Sequence, residues 1–344
     1  MSFRRGGFGV SEVDIALRSR ETGAGSLWRA VLPLLLPILI VAMELGVYLL
    51  EPRVLSVGNL RNILIQSSYL VLFASAQMVV ILTRGFDLSL GASVSAVSVA
   101  SALAMTSLDA QGAATWLVVS AGFVAGLGLG FLVGLFNGGF ISGLGINPFV
   151  VTLGSLNICL GLATTISGGR PVFNVPDPFS SLLYDGKLIP GVPVPVMLAV
   201  VVCLLLYFLL DHTAFGRALY LIGNNPRAAR LAGLPSRRYL LIAYILGALL
   251  AAFGALMLTA RTGSGEPNLG GSLMLESIAA AVIGGVSLQG GVGGVVPVIL
   301  GSLFITMMSN AMNLLRIDGY IQQILLGVII IAAIFLDRTR STRA

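Results

Sequence analysis

The chain has 344 residues, 56% of them hydrophobic and only 10% charged, with a net charge of +6. That little charge cannot cover a water-soluble domain of this length, and continuous apolar runs of about 20 residues, each long enough to span a bilayer as a helix, recur from Leu32 onward. Continuous rather than alternating runs exclude a transmembrane β-barrel, and arginines gathered in the tails and one central loop argue against nucleic-acid binding.

The expected fold is therefore an all-α polytopic membrane protein of about ten spans. Residues 1–30 read as a polar, basic cytoplasmic tail. A first span is expected at about 31–50, with Glu44 inside it; its apolar run is too long for a signal peptide, and no small-residue cleavage site follows. The second span, about 62–83, and the third, about 88–106, are separated only by Arg84-Gly85-Phe86-Asp87. The fourth covers about 115–136 and the fifth about 148–167. A proline-rich interval then leads to the sixth, about 194–210. The polar interval 211–238 follows, then spans at about 239–260, 273–288, 294–312 and 319–336. Residues 31–337 thus form one membrane domain, and 338–344 a second tail. Ten spans put both termini on one side, and placing them in the cytoplasm leaves 14 of the 20 Lys and Arg inside.

The two halves of the chain resemble each other. Leu82-Thr83-Arg84 corresponds to Leu258-Thr259-Ala260-Arg261, and Leu90-Gly91-Ala92-Ser93 to Leu269-Gly270-Gly271-Ser272. Asn137 corresponds to Asn310, Ile146-Asn147-Pro148-Phe149 to Ile317-Asp318-Gly319-Tyr320, and Leu153-Gly154 to Leu326-Gly327. Spans two to five then correspond to spans seven to ten. A displacement of five helices inverts the copy, an architecture that transporters use to hold a pathway between the halves.

The central interval carries a short helix with its punctuation intact. Asn225 fits the N-cap, Pro226 the first helical position and Gly233 the left-handed stop. Arg227 and Arg230 share one face, Ala228 and Leu231 another, with Ala229 and Ala232 completing the two turns. So short a helix is not stable alone in water and needs a partner to lean on, so Asn225 to Gly233 reads as a cytoplasmic docking element.

Carboxylates in or beside a membrane are costly and are candidate functional groups by default; here they are Glu44, Asp87 and Glu276. Asp87 is flanked by Gly85 and Gly91, which suit a tight turn or hinge. Asp87 or Ser89 could cap the next helix, and Arg84 could offset the Asp87 charge. Glu276 could complement the dipole at the start of the eighth span. With Asn137, Asn147 and Asn310, these residues are the pathway or hinge candidates. Cys159 and Cys203 fall in apolar runs and read as buried small side chains. His212 is the only histidine, which makes a metal site improbable. The Gly-rich run 284–294 lacks the GK[ST] ending of a phosphate-binding loop and reads as a tight turn. No cofactor is expected, and no catalytic motif.

Four segments in order, GFDLSLG at 85–91, NGGFISGLGINPFVVTLGSL at 137–156, FGRALYLIGNNPRAARLAGL at 215–234 and IAAAVIGGVSLQGGVGG at 278–294, resemble the membrane permeases of bacterial ribose and simple-sugar ABC importers. The resemblance covers about residues 60–336, with phenylalanine at 86 where the family usually has isoleucine. It implies a non-enzymatic permease subunit in the bacterial inner membrane, paired with a second permease subunit, either a second copy or a related chain. Two cytoplasmic ATP-binding subunits and a periplasmic substrate-binding protein complete the implied assembly. Under this resemblance Asn225 to Gly233 matches the ATPase-docking helix, and the cargo is a pentose or hexose. Related branches carry branched-chain amino acids or nucleosides. The alternative is a self-sufficient transporter coupled to protons or sodium through Glu44, Asp87 and Glu276.

Overall fold

The computed structural model describes residues 24–341, so most of the expected N-terminal tail and residues 342–344 lie outside the described residues. Thirteen α-helices follow in order: α1 Ala24–Leu50, α2 Val57–Ile81, α3 Leu90–Asp109, α4 Thr115–Leu144, α5 Pro148–Ser167, the single turn α6 Asp177–Ser180, α7 Val194–His212, α8 Ala214–Asn224, α9 Pro226–Leu231, α10 Ser236–Thr262, α11 Leu273–Ile283, α12 Val295–Leu314 and α13 Gly319–Ser341. Seven of them (α2, α3, α4, α5, α7, α10 and α12) are long and apolar enough to cross a membrane. Shorter apolar stretches at Leu35–Leu50, Leu273–Ile283 and Gly319–Ala332 occupy the three remaining expected spans.

Local chemistry sets the helix ends. Ser56 accepts from the backbone of Asn59 at the start of α2, and Asn147 with Pro148 opens α5. α4 closes on Gly145 and α10 on Gly263, both left-handed. α11 is shorter than the 273–288 span expected. Its 11 residues rise only about 16 Å, roughly half the hydrocarbon core. It stops where Gly284 passes against the backbone of Pro297 and Gly285 turns with φ +104°.

α2 and α10 form the centre and pack on each other. Leu72, Phe73 and Met78 of α2 and Leu256 and Met257 of α10 are fully buried. α4 lies on α10 and α3, while α12 lies on α2 and α11. α3 meets α5 and α10, while α11 meets α13 and α2. Exchanging α2 with α10, α3 with α11, α4 with α12 and α5 with α13 turns each statement into its partner. The packing therefore repeats in the two halves that the sequence motifs relate. α1 packs on α12, and α7 on α2.

The α4–α10 seam is closed by small residues. Gly122, Gly126, Gly130, Gly134 and Gly138 recur every fourth residue on α4; Gly122 meets Met105 of α3 and the other four meet α10. A Cβ on Gly134 would lie 2.7 Å from Cα of Ile245, and one on Gly138 would lie 3.0 Å from the carbonyl oxygen of Leu241. The backbones approach because no side chain stands between them.

Candidate functional site

The interruption between α2 and α3 is built from buried polar groups. Gln77, fully buried in α2, donates to the backbone carbonyl of Asp87 at 2.7 Å. The Asp87 side chain is only 6% exposed. Its Oδ1 accepts from the backbone N–H of Ser89 at 2.8 Å and also from the Ser89 hydroxyl. Asn137 of α4 donates to Ser89 Oγ at 3.0 Å, and the Ser155 hydroxyl of α5 donates to Asn137 Oδ1. One chain of hydrogen bonds thus runs from the interruption through α4 to α5. Asp87 holds the backbone just ahead of α3, and Ser89, in the N-cap position, makes no side-chain cap of its own.

One expectation about this segment is corrected. Arg84 does not offset Asp87, because its guanidinium points to the end of α8. The positive φ of the turn, +64°, belongs to Arg84. The two glycines are needed for space. A Cβ on Gly85 would strike the Tyr244 hydroxyl, and one on Gly91 would strike the carbonyl oxygen of Gly270.

The Gly91–Gly270 contact is reciprocal, since a Cβ on Gly270 would in turn strike the Gly91 carbonyl. These residues correspond in the internal repeat, and a self-complementary contact between equivalents is what a local two-fold relation produces. Ser95 Oγ accepts from the backbone N–H of Gly270 at 3.0 Å, and Ser98 Oγ from that of Glu266 at 3.1 Å. The irregular stretch 263–272 is therefore sewn to α3. A cavity of about 150 Å³ lies alongside, bordered by Leu88, Ser95, Leu156, Asn268 and Met274.

On the other side of the interruption three backbone turns meet. Arg84 donates through Nε to the carbonyl of Gly223 at 2.6 Å and through Nη2 to that of Asn224 at 2.8 Å. These are the last two carbonyls of α8, where a cation also complements the helix dipole. The backbone N–H of Gly291 donates to the Leu82 carbonyl at 2.9 Å, and the Tyr220 hydroxyl to that of Gly293 at 3.1 Å. Gly223 fits against both Leu82 and Gly291 only because it lacks a Cβ. The Gly-rich run 284–294 is thus a tight turn, as expected, and it also holds α8. α8 itself was not foreseen within the polar interval. It buries Ala218, Leu219 and Ile222 and leaves Arg217 and Leu221 outside.

α9 follows with the caps expected of it. Asn225 Oδ1 accepts from the backbone of Arg227 at 3.1 Å and of Ala228 at 3.0 Å, Pro226 is the first helical residue, and Gly233 has φ +77°. The helix is one turn and a half, ending at Leu231. Ala229 faces inward, while Arg227, Ala228, Arg230 and Ala232 are exposed and Leu231 is 89% exposed.

The remaining candidates lie elsewhere. Asn147 caps α5 by accepting from Phe149 at 2.9 Å. Asn310 exchanges two 2.9 Å hydrogen bonds with Asn59 of α2. Glu276 sits in the first turn of α11. Glu44, buried on α1, has neither carboxylate oxygen partnered among the described residues. Asp87, Glu276 and Glu44 thus lie in three separate environments. Sequence reasoning missed Gln77, Ser155 and Gly223; the first two are polar residues inside otherwise apolar helices, which is the signal that could have found them.

Residues 59–334 match the family described as the permease component of branched-chain amino acid transport systems. The chain belongs to this permease family. The permease is 36% identical to a probable ABC transporter permease protein of Sinorhizobium fredii, with 95% of each chain covered. It is 32% identical to the D-allose transport system permease protein AlsC of Escherichia coli, over 83% of this chain and 84% of that one. It is 33% identical to the ribose import permease protein RbsC of Bacillus subtilis, over 86% and 89%. No solved structure matches it. The permease is a multi-pass membrane transport component, and ATP hydrolysis in such importers belongs to separate subunits.

Proposed function

We propose that the permease passes a monosaccharide, pentose or hexose, from a periplasmic binding protein to the cytoplasm, driven by two ATP-binding subunits. The observation that carries this reading is near full-length similarity to import permeases named for ribose and allose. In this reading the permease sits in the bacterial inner membrane with both termini in the cytoplasm, paired with a second permease subunit, most simply a copy of itself. Residues 31–337 are the membrane domain, and 211–238 the coupling loop.

α9 and its caps, Asn225 to Gly233, are the ATPase-coupling element. What supports this is a capped helix with an exposed apolar Leu231 and two exposed arginines, too short to persist without support. Arg84 joins α8 and α9 to the α2–α3 interruption, so movement of the coupling loop is felt at Asp87, Ser89 and Asn137. Gly85, Gly91 and Asn147 serve the same hinge, while Glu276 and Asn310 belong to the opposite ends of the helices.

The test is uptake in proteoliposomes holding the permease, its ATPase and a loaded binding protein. Uptake that requires ATP and survives a proton ionophore is expected. Uptake that needs an ion gradient and no ATP would return the reading to a secondary transporter.

A further inference from the structure

A pocket of about 140 Å³ lies between α2, α10, α11 and α12. The end of α2, the start of α10 and the start of α12 all meet the central loop around Leu82 and Gly291. The pocket is at the other ends of these helices: Gln66 and Tyr69 in the first half of α2, Arg261 in the last turn of α10 and Thr306 and Ser309 late in α12. It therefore lies toward the face opposite the coupling loop, with Glu276 of α11 on its wall.

Its polar side chains make no hydrogen bond or ion pair among the described residues. Tyr69 is 3% exposed, and its hydroxyl has no hydrogen-bond partner among the described residues. Arg261 stands over the Tyr69 ring, 5.5 Å from its centroid, and makes no ion pair among the described residues. The side chains of Gln66, Glu276, Thr306 and Ser309 make no hydrogen bond among the described residues either. A buried polar group in a native protein is nearly always satisfied, and the open Tyr69 hydroxyl, beside half-buried Gln66, Glu276 and Ser309 and an exposed Arg261, points to something that enters the cavity.

We propose that this pocket is a monosaccharide-binding site within each permease protomer, on the side from which cargo arrives; the proposal rests on the sugar-import reading above. One guanidinium and one carboxylate balance each other, so the lining does not select an ion. Amide, carboxylate, guanidinium and hydroxyl groups together offer both donors and acceptors, which is what sugar hydroxyls, each donor and acceptor, require. Leu70, Leu258, Leu273 and Ile305 provide apolar wall for the C–H faces of a ring.

The test uses the reconstituted complex of permease, ATPase and binding protein. Ser309→Cys is treated with a charged, membrane-impermeant thiol reagent from the side opposite the coupling loop. The wild-type chain, whose Cys159 and Cys203 are buried, is the blank. Labelling that D-ribose, D-allose or D-galactose slows, and leucine does not, is expected. Thr306→Cys serves where the first variant does not assemble. Glu276→Gln should lower sugar uptake about ten-fold, as loss of a charged hydrogen bond would, with Glu276→Asp restoring part of it. If wild-type uptake is intact but the cysteine is unreactive, or its labelling ignores every sugar, the pocket is not a sugar site and the import reading stands. If leucine protects and sugars do not, the ligand class is wrong. If the wild-type complex accumulates none of the three sugars, the import reading itself fails and the pocket proposal falls with it.

Discussion

Gly91 and Gly270 lie backbone to backbone, each blocking the place where the other's Cβ would stand. They tie the start of α3 to the stretch before α11, across the two related halves. Gly91→Ala or Gly270→Ala must push these segments apart, at a cost of about 1–3 kcal/mol for overpacking. Thermal unfolding of the purified variants should show a lower midpoint, and uptake should fall. A variant with a wild-type midpoint would mean the two segments separate readily.

Arg84 carries a left-handed backbone and two hydrogen bonds to the end of α8. Bonds to charged groups contribute about 1.5–3 kcal/mol when buried, and less here because Arg84 is exposed to solvent. Arg84→Ala should leave the permease folded and bound to its ATPase, while stimulation of hydrolysis by the loaded binding protein falls several-fold. Arg84→Lys should restore part, since one ammonium cannot reach both carbonyls with the same geometry. Full stimulation in Arg84→Ala would show that α8 moves independently of the α2–α3 interruption.

Asp87 accepts two hydrogen bonds from Ser89 through one oxygen. An amide keeps one such oxygen, so Asp87→Asn should retain part of the transport, whereas Asp87→Ala unhooks Ser89 and through it Asn137. Complete loss with Asp87→Asn in a normally assembled complex would make the charge itself essential and end the bracing account.

At α9, Ala228→Glu should release or uncouple the ATPase without unfolding the membrane helices, because the residue is exposed in the isolated chain. Arg227→Ala or Arg230→Ala should weaken assembly modestly and in a salt-dependent way, as rim charges do. Asn225→Ala should fray the helix by about 1 kcal/mol. The measurement is the amount of ATPase that co-purifies, read at two salt concentrations. Wild-type recovery and stimulation for Ala228→Glu would remove α9 from the coupling path.

Much of this was legible in the sequence, for definite reasons. Apolar runs report helices one at a time, so the expected spans have helical counterparts, and the caps of α9 depend only on residues within its own turn. α8 escaped notice because its two glycines and Arg217 read as loop, although Leu219 and Ile222 already mark one face. Arg84 was assigned to the wrong partner because its left-handed φ redirects the side chain, which no neighbouring residue announces. Asn137 could be named but not placed, since Ser89 lies 48 positions before it and Ser155 lies 18 after. The pocket around Tyr69 draws on four helices and has no local signature at all.

The glycine row on α4 bears on how the protein will behave outside a bilayer. In lipid a helix must bond every amide internally before it meets a neighbour, so the flexibility of the four glycines that face α10 is already restrained when α4 docks on it. In a short-chain detergent that restraint weakens, and each glycine regains freedom that packing must then remove. Solubilisation should therefore loosen α4 from α10 while circular dichroism still reports an intact helical content, so ellipticity is a poor guide to whether a preparation is native.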